Sequence, residues 1–175
     1  MKQALLVIDM QNGLIDLGPL DYPLIQARVA ALMKAAHAAK LTIVLVRHTE
    51  SFDGGLKEGS REWQFDAALS SLFHDKILNK TESSAFLKTD LETYLKSLGV
   101  SHVLVMGMQT EYCVDATIKS GYERGFVMQA VADGVTTFDS PILSAAQLNA
   151  HYVRAIYPNF AECKTADEWI RSFKK

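Results

Sequence analysis

Three residues capable of chemistry stand just beyond apolar segments of this sequence. Asp9 ends "LLVID", Lys80 follows Ile77 and Leu78 in "ILNKTESSAF", and Cys113 lies within "MQTEYCVDAT", directly after "HVLVMG". Cys113 is the most informative. With Thr110 as an N-cap, the thiol falls in the first turn of a helix, where unpaired N–H groups and the helix dipole favour a thiolate. The same N–H groups can hold an oxyanion. This placement and a neighbouring Lys80 predict a thiol pKa below the ~8.5 of a free cysteine. Asp9 supplies a base for the thiol proton. A carboxylate ending a buried strand is costly unless it is paired or hydrogen-bonded, and Lys80 is placed to pair with it and with a developing anion. Read singly, these are a buried cysteine, a loop-capping aspartate and a surface lysine. Their conjunction carries the argument.

The elements that must position them follow from periodicity. Four short runs, Ala4–Ile8, Thr42–Val46, His102–Gly107 and Phe126–Ala132, are mostly continuously apolar. That pattern marks strands buried on both faces, as in parallel sheets. Ile77 and Leu78 suggest a further edge strand. Helical patterns lie between the runs. Leu24–Lys40 is Ala-rich and amphipathic. Thr89 and Glu92 read as a capping box before Leu91, Leu95 and Leu98, with Gly99 as the stop. Asp115–Arg124 ends at Gly125, and Ser144–Ile156 forms another helix. The last opens at Thr165 with Glu168 three residues on, and carries Trp169, Ile170 and Phe173. Alternating strands and helices predict right-handed crossovers and a three-layer α/β/α domain. In such sheets ligands bind beyond the carboxyl ends of the strands, which is where Asp9, Arg47, His48, Asp133 and the cysteine block fall.

Segment 48–79 is irregular, with Gly54, Gly55 and Gly59 among Phe52, Trp63 and Phe65. A long irregular stretch in a compact domain is often functional. Its second half, "EWQFDAALSSLF", also reads as a short helix with aromatics in the core. Leu14, Phe52, Trp63 and Tyr112 are the candidates for lining a small-molecule site.

Composition narrows the function. The chain has 175 residues, 18 basic and 20 acidic side chains, a net charge of -2 and a hydrophobic fraction of 49%. This predicts one domain spanning 1–175, with a full core and no need of staples. The near-neutral balance gives no footprint for nucleic acid or an anionic membrane surface. No apolar run approaches the ~20 residues that span a bilayer. Asp9 interrupts the first apolar run, so a secretory h-region does not fit. Cys113 and Cys163 are too few for a disulfide scaffold, and a cytoplasmic protein is expected. "DMQNG" is not the GxGxxG turn of a dinucleotide site. "VIDMQNG" also lacks the second acidic residue that a phospho-receiver domain carries there.

"LLVIDMQNG", "NKTESSAF" and "GMQTEYCVDAT" together resemble the three signatures of the isochorismatase-like cysteine hydrolases, and "ADGVTTF" extends the likeness over nearly the whole chain. The resemblance implies a six-stranded, mainly parallel sheet between helices and a triad of Asp9, Lys80 and Cys113. It also implies a cis peptide at Met108–Gln109, an oxyanion hole from the Gln109 and Cys113 backbone N–H groups, and a homo-oligomer. The branch that hydrolyses the vinyl ether of isochorismate lacks the nucleophilic cysteine. Cys113 therefore points to acyl transfer on a small amide or carbamoyl substrate. The alternatives are a non-catalytic binding or scaffold protein of the same fold and an isochorismate-type vinyl-ether hydrolase. Nicotinamidases carry a metal held by an Asp, a His two residues on and a later His. In "RHTESFDGG" Asp53 has no such His and His74 has no obvious partners, so no metal and no cofactor are expected. Of the five histidines, only His48 falls near the predicted site, and a packing or loop role is expected for each.

Overall fold

A computed structural model describes residues 2–50 and 55–173. Phe52 and Asp53 lie outside the described residues. The strands are β1 (Lys2–Ile8), β2 (Thr42–His48), β3 (Lys76–Lys80), β4 (Val100–Met108), β5 (Val127–Thr136) and β6 (Ala161–Lys164). The helices are α1 (Asn12–Ile15), α2 (Tyr22–Ala38), α3 (Ala67–Ser70), α4 (Leu91–Ser97), α5 (Asp115–Glu123), α6 (Ala145–His151) and α7 (Ala166–Ser172). All six strands form one sheet in the order β3-β2-β1-β4-β5-β6, and every adjacent pair is parallel.

The continuously apolar strands divide their side chains between two faces, because successive residues of a strand point to opposite sides. Ala4, Leu6 and Ile8 of β1 join Val44, Val46, Val103 and Val105 in a core that also holds Leu91, Leu95, Ile118 and Tyr157. Leu5 and Val7 join Ile43, Leu45, Leu104 and Met106 on the other face, with Ile25, Val29, Leu32 and Met33 of α2 and Trp169 of α7. The sheet is thus sandwiched by α4 and α5 on one side and by α2 and α7 on the other.

Local stop signals behave as their chemistry dictates. Gly99 and Gly125 follow α4 and α5 with φ of 73° and 82°, the left-handed region that glycine reaches without a Cβ penalty. Thr165 and Glu168 form a reciprocal capping box at α7, and Ser144 and Gln147 form one at α6.

Three local expectations are corrected, and one strand has no signal of its own. Thr89 is not the N-cap of α4 and forms no capping box with Glu92, although its hydroxyl accepts from the Leu91 N–H at 3.3 Å. Asp90 occupies the cap position, and the Thr89 hydroxyl donates to the Ala85 carbonyl at 2.6 Å. The helix expected over Ser144–Ile156 changes pitch at Tyr152 into a π-helical turn. "EWQFDAALSSLF" contributes only α3, opened by Asp66, whose carboxylate accepts from the Ala68 and Leu69 N–H groups. β6 supplies the sixth strand that the resemblance implies, but periodicity alone does not reveal it. Its residues are polar or only partly buried, so the short segment carries no apolar signature.

Candidate active site

Strand order creates the site. β3, β2, β1 and β4 are neighbours in that order, so the residues at their carboxyl ends line up. Lys80 ends β3 and pairs in register with His48, which ends β2. Asp9 follows β1, and its N–H donates to the Val46 carbonyl at 2.9 Å. Gly107 of β4 lies opposite Ile8, and the cysteine block follows. Gly107 has φ of 118°, and a Cβ there would lie 2.2 Å from the Ile8 carbonyl oxygen. Only glycine lets β4 approach β1 this closely beside Asp9.

Asp9 has φ of 51°, a left-handed conformation uncommon outside glycine and found preferentially at functional sites. It turns the carboxylate away from the strand course. Oδ2 accepts from the Lys80 ammonium at 2.8 Å, with the two side chains 1% and 0% exposed. Oδ1 is buried and has no hydrogen-bond partner.

The Lys80 ammonium also donates to Cys113 Sγ at 3.2 Å and to His48 Nδ1 at 3.1 Å. An ammonium has three donors and no acceptor, and all three are used. Burial is the largest influence on Lys80 and opposes its charge, but Asp9 and Cys113 together outweigh it and hold its pKa above the usual lysine value. Because Lys80 can only donate, His48 Nδ1 must accept, which leaves the ring proton on Nε2.

The thiol behaves differently from the sequence expectation. Its pKa is pushed up to about 12, first by burial and then by the negative charge of Asp9, with Lys80 opposing. The expected helix N-terminus is present in altered form. Gln109, not Thr110, is the cap residue, and Thr110–Val114 forms one π-helical turn that leads into α5. Such turns are rare and concentrate at functional sites. The Gln109 carbonyl accepts from Tyr112 N–H at 3.2 Å and from Val114 N–H at 3.1 Å, two bonds that flank the Cys113 amide. The turn is anchored from outside: Tyr157 Oη donates to the Thr110 carbonyl at 2.6 Å, and the Thr110 hydroxyl bonds Asn149. Thr137, within "ADGVTTF", donates to Glu111 at 2.8 Å. The Met108–Gln109 peptide is cis.

Above these groups lies a pocket of about 210 Å³, with Cys113, Asp9, Leu14, Tyr112 and Gln109 among its walls. Trp63, expected there, is elsewhere. It is 7% exposed, its indole N–H donates to Thr49 Oγ1 at 2.8 Å, and the Arg47 guanidinium covers its ring 3.2 Å from the centroid. Packing and a cation–π contact claim this aromatic.

Sequence reasoning did not single out several contributors. His48, Glu50 and Ser83 line the pocket. Gln11 staples the site from below: its amide donates to the carbonyls of His48 and Trp63, both at 2.9 Å, and accepts from His48 N–H at 2.8 Å. His48 was visible as the one histidine at a strand end, but a packing role was expected for it. The other three carried no spacing signal.

Asp9, His48 and Cys113 place one ligand-type atom each within 4.8 Å of one another, a donor set of the kind zinc takes. The Lys80 ammonium is hydrogen-bonded to all three, so the cation these donors face is already part of the chain.

Comparison with known proteins agrees with this geometry. A family model described as the isochorismatase domain matches residues 3–168. Nicotinamidase 3 of Arabidopsis thaliana is 26% identical over 83% of this chain and 79% of its own length. The ureidoacrylate amidohydrolase RutB of Methylorubrum extorquens is 26% identical over 83% of this chain and 74% of its own. A cysteine hydrolase from Pseudomonas syringae superposes with a TM-score of 0.92 at 26% identity, covering 99% of this chain and 92% of that one. The chain belongs to the isochorismatase family.

Proposed function

We propose that this protein hydrolyses a small amide or carbamoyl substrate through a thioester on Cys113, with Asp9 as acid–base and Lys80 as the charge that organises both. The observation that carries the reading is the buried Lys80 ammonium, which joins Asp9 Oδ2 and Cys113 Sγ on the floor of the pocket. The likeness to a nicotinamidase and an amidohydrolase supports the choice of bond.

The high thiol pKa sets the order of events. A thiol held at about 12 is protonated at rest, so attack requires a local base. Asp9 is that base, and its unpartnered Oδ1 is the free acceptor. As the S–H proton moves to Asp9, sulfur bonds to the carbonyl carbon and the carbonyl oxygen becomes an oxyanion. Negative charge leaving Asp9 for the substrate stays beside Lys80. The Gln109 and Cys113 N–H groups hold the oxyanion, a device whose donors are each worth ~10²–10³ in rate. Asp9 then returns the proton to the leaving amine as the C–N bond breaks. Water, deprotonated by Asp9, attacks the thioester, releases the acid and restores the thiol.

Leu14 and Tyr112 are the substrate-facing residues in this reading. A homo-oligomer, a single domain and a cytoplasmic location belong to it as well, with assembly checked by light scattering after gel filtration. The central test is an amide panel scored by released amine or ammonia, with intact mass spectrometry of the quenched enzyme. Turnover accompanied by an acyl adduct on Cys113 supports the proposal. A Cys113→Ala protein that still hydrolyses the substrate overturns it.

A further inference from the structure

The charges around the pocket do not cancel. Asp9 and Lys80 form a buried pair, and His48 is neutral near pH 7 because burial and then the Lys80 charge hold its pKa below the usual 6.5. Among the residues lining the pocket none is lysine or arginine, whereas Glu50 is present. The nearest candidate cation on β2, Arg47, is turned away onto Trp63 and bonds Asn79 Oδ1 at 3.0 Å. Among the described residues Glu50 makes no ion pair. Its position is fixed, however: Oε2 accepts from the Leu56 N–H at 3.2 Å, and the Glu50 N–H donates to the Leu56 carbonyl at 3.1 Å. The carboxylate is thus built into the wall rather than swinging in solvent. Its field also reaches across the site, where it favours the charged form of His48.

We propose that Glu50 is a specificity determinant that makes this pocket select amides bearing a cationic or strongly hydrogen-bond-donating group, and disfavour amides bearing a carboxylate. Among the described residues that line the pocket, an entering anion meets Glu50 and no cationic side chain, and every donor of the Lys80 ammonium is already committed. A cation entering it completes an ion pair in a small, partly water-excluded cavity, where such pairs are stronger than on an open surface. This proposal rests on Cys113 lying at the floor of the substrate pocket, and it deepens the amidase reading above.

The test uses Cys113 itself as the reporter, which separates it from any question of turnover. Methanethiosulfonate reagents transfer RS– to a thiolate, forming a mixed disulfide and releasing methanesulfinate. The 2-aminoethyl and 2-sulfonatoethyl reagents deliver a cation and an anion of similar size, and the ratio of their rates cancels the thiol's own pKa. Peptide mapping reads Cys113 separately from Cys163. The expected cation-to-anion ratio at Cys113 exceeds that of free cysteine by roughly threefold to tenfold, the scale of one partly screened charge pair. It shrinks as ionic strength rises, and it drops towards the free-cysteine value in Glu50→Gln. A wild-type ratio equal to that of free cysteine overturns the proposal, as does a folded Glu50→Gln protein with an unchanged ratio. The wild-type ratio and its salt dependence decide the matter even if the variant does not fold. In a parallel arm, matched amides bearing an ammonium or a carboxylate are compared by kcat/KM, with preference for the ammonium expected. Absence of all amide turnover with the reagent ratio intact would sink the amidase reading and leave the charge selectivity standing.

Discussion

The Lys80 ammonium donates to His48 Nδ1 across 3.1 Å, which ties the protonation state of the imidazole to the geometry of the Asp9–Lys80–Cys113 cluster. A protonated ring would set two positive charges against each other and release Lys80 from its third acceptor.

Acid should therefore inactivate the enzyme through His48. The folded pKa lies below the ordinary 6.5, through burial first and Lys80 second. An unfolded chain takes that proton nearer 6.5, so the contribution of neutral His48 to stability is complete above ~6.5 and is lost as pH falls towards the lower folded value. Cys113 acts at the other end. Its thiol, held at about 12 against a usual 9.0, contributes fully below pH 9 and less as pH rises above it. Melting temperature against pH should show both limbs. His48→Asn, which keeps an acceptor near Nδ1, should retain more turnover than His48→Leu and shift the acid limb. An unchanged acid limb in His48→Asn would assign that limb to another group. His48→Leu leaves a buried N–H unsatisfied, at a cost of about 1–3 kcal/mol.

Asp9→Asn separates proton transfer from thiol acidity. Without the carboxylate the thiol proton has no acceptor and the leaving amine no donor, so kcat should fall by at least ~10². The same substitution removes a negative charge that raises the thiol pKa, so iodoacetamide should label Cys113 faster than in the wild type at pH 8. Wild-type labelling should be slow at neutral pH for both cysteines, since Cys163 is also raised, to about 11. Adding Asp9→Asn to Cys113→Ala should cost no further activity, because residues that act as a unit are non-additive. Near wild-type turnover in a folded Asp9→Asn protein would remove Asp9 from the mechanism.

Lys80→Met should lower stability by about 3–5 kcal/mol, the scale for removing one partner of a buried ion pair. It leaves Asp9, 1% exposed at its side chain, without a counter-charge. Urea melts at pH 7 measure this, and a loss well below that range would show that the buried charge pair is not what holds this part of the structure.

The sequence made the strand cores legible, because β1, β2, β4 and β5 hold continuous apolar runs that only a doubly covered sheet explains. β6, with Glu162 and Lys164 among its four residues, offered no such run. The π-helical turn at Cys113 was hidden for another reason: bonds from Tyr157 and Asn149, more than thirty-five residues away in sequence, anchor it. Asp9, Lys80 and Cys113 are legible as candidates because each follows an apolar segment, and the structure brings the three side chains together. His48, Gln11 and Glu50 acquire their roles only from strand order, which periodicity does not reveal. Trp63 illustrates the opposite error, since an aromatic in an irregular segment serves the core as readily as a ligand site.

Metal dependence offers the last test, because the site resembles a metal centre in its donors. Asp9, His48 and Cys113 converge within 4.8 Å, yet they converge on Lys80, whose ammonium lies 2.8 Å from Asp9, 3.1 Å from His48 and 3.2 Å from Cys113. A divalent ion could take that seat only by expelling the ammonium or stripping its proton, and Asp9 and Cys113 both favour the charged lysine. EDTA should therefore change neither the turnover nor the melting temperature of the wild type. Lys80→Ala removes the tethered cation and leaves two deprotonatable donors and a neutral imidazole facing an empty centre, a set that matches zinc. Zn²⁺ should raise the melting temperature of Lys80→Ala, increasingly so at higher pH as the thiol ionises, and leave that of the wild type where it was. Wild-type activity lost to EDTA and restored by Zn²⁺ or Fe²⁺ would show that a metal, and not Lys80, supplies the positive charge at this site.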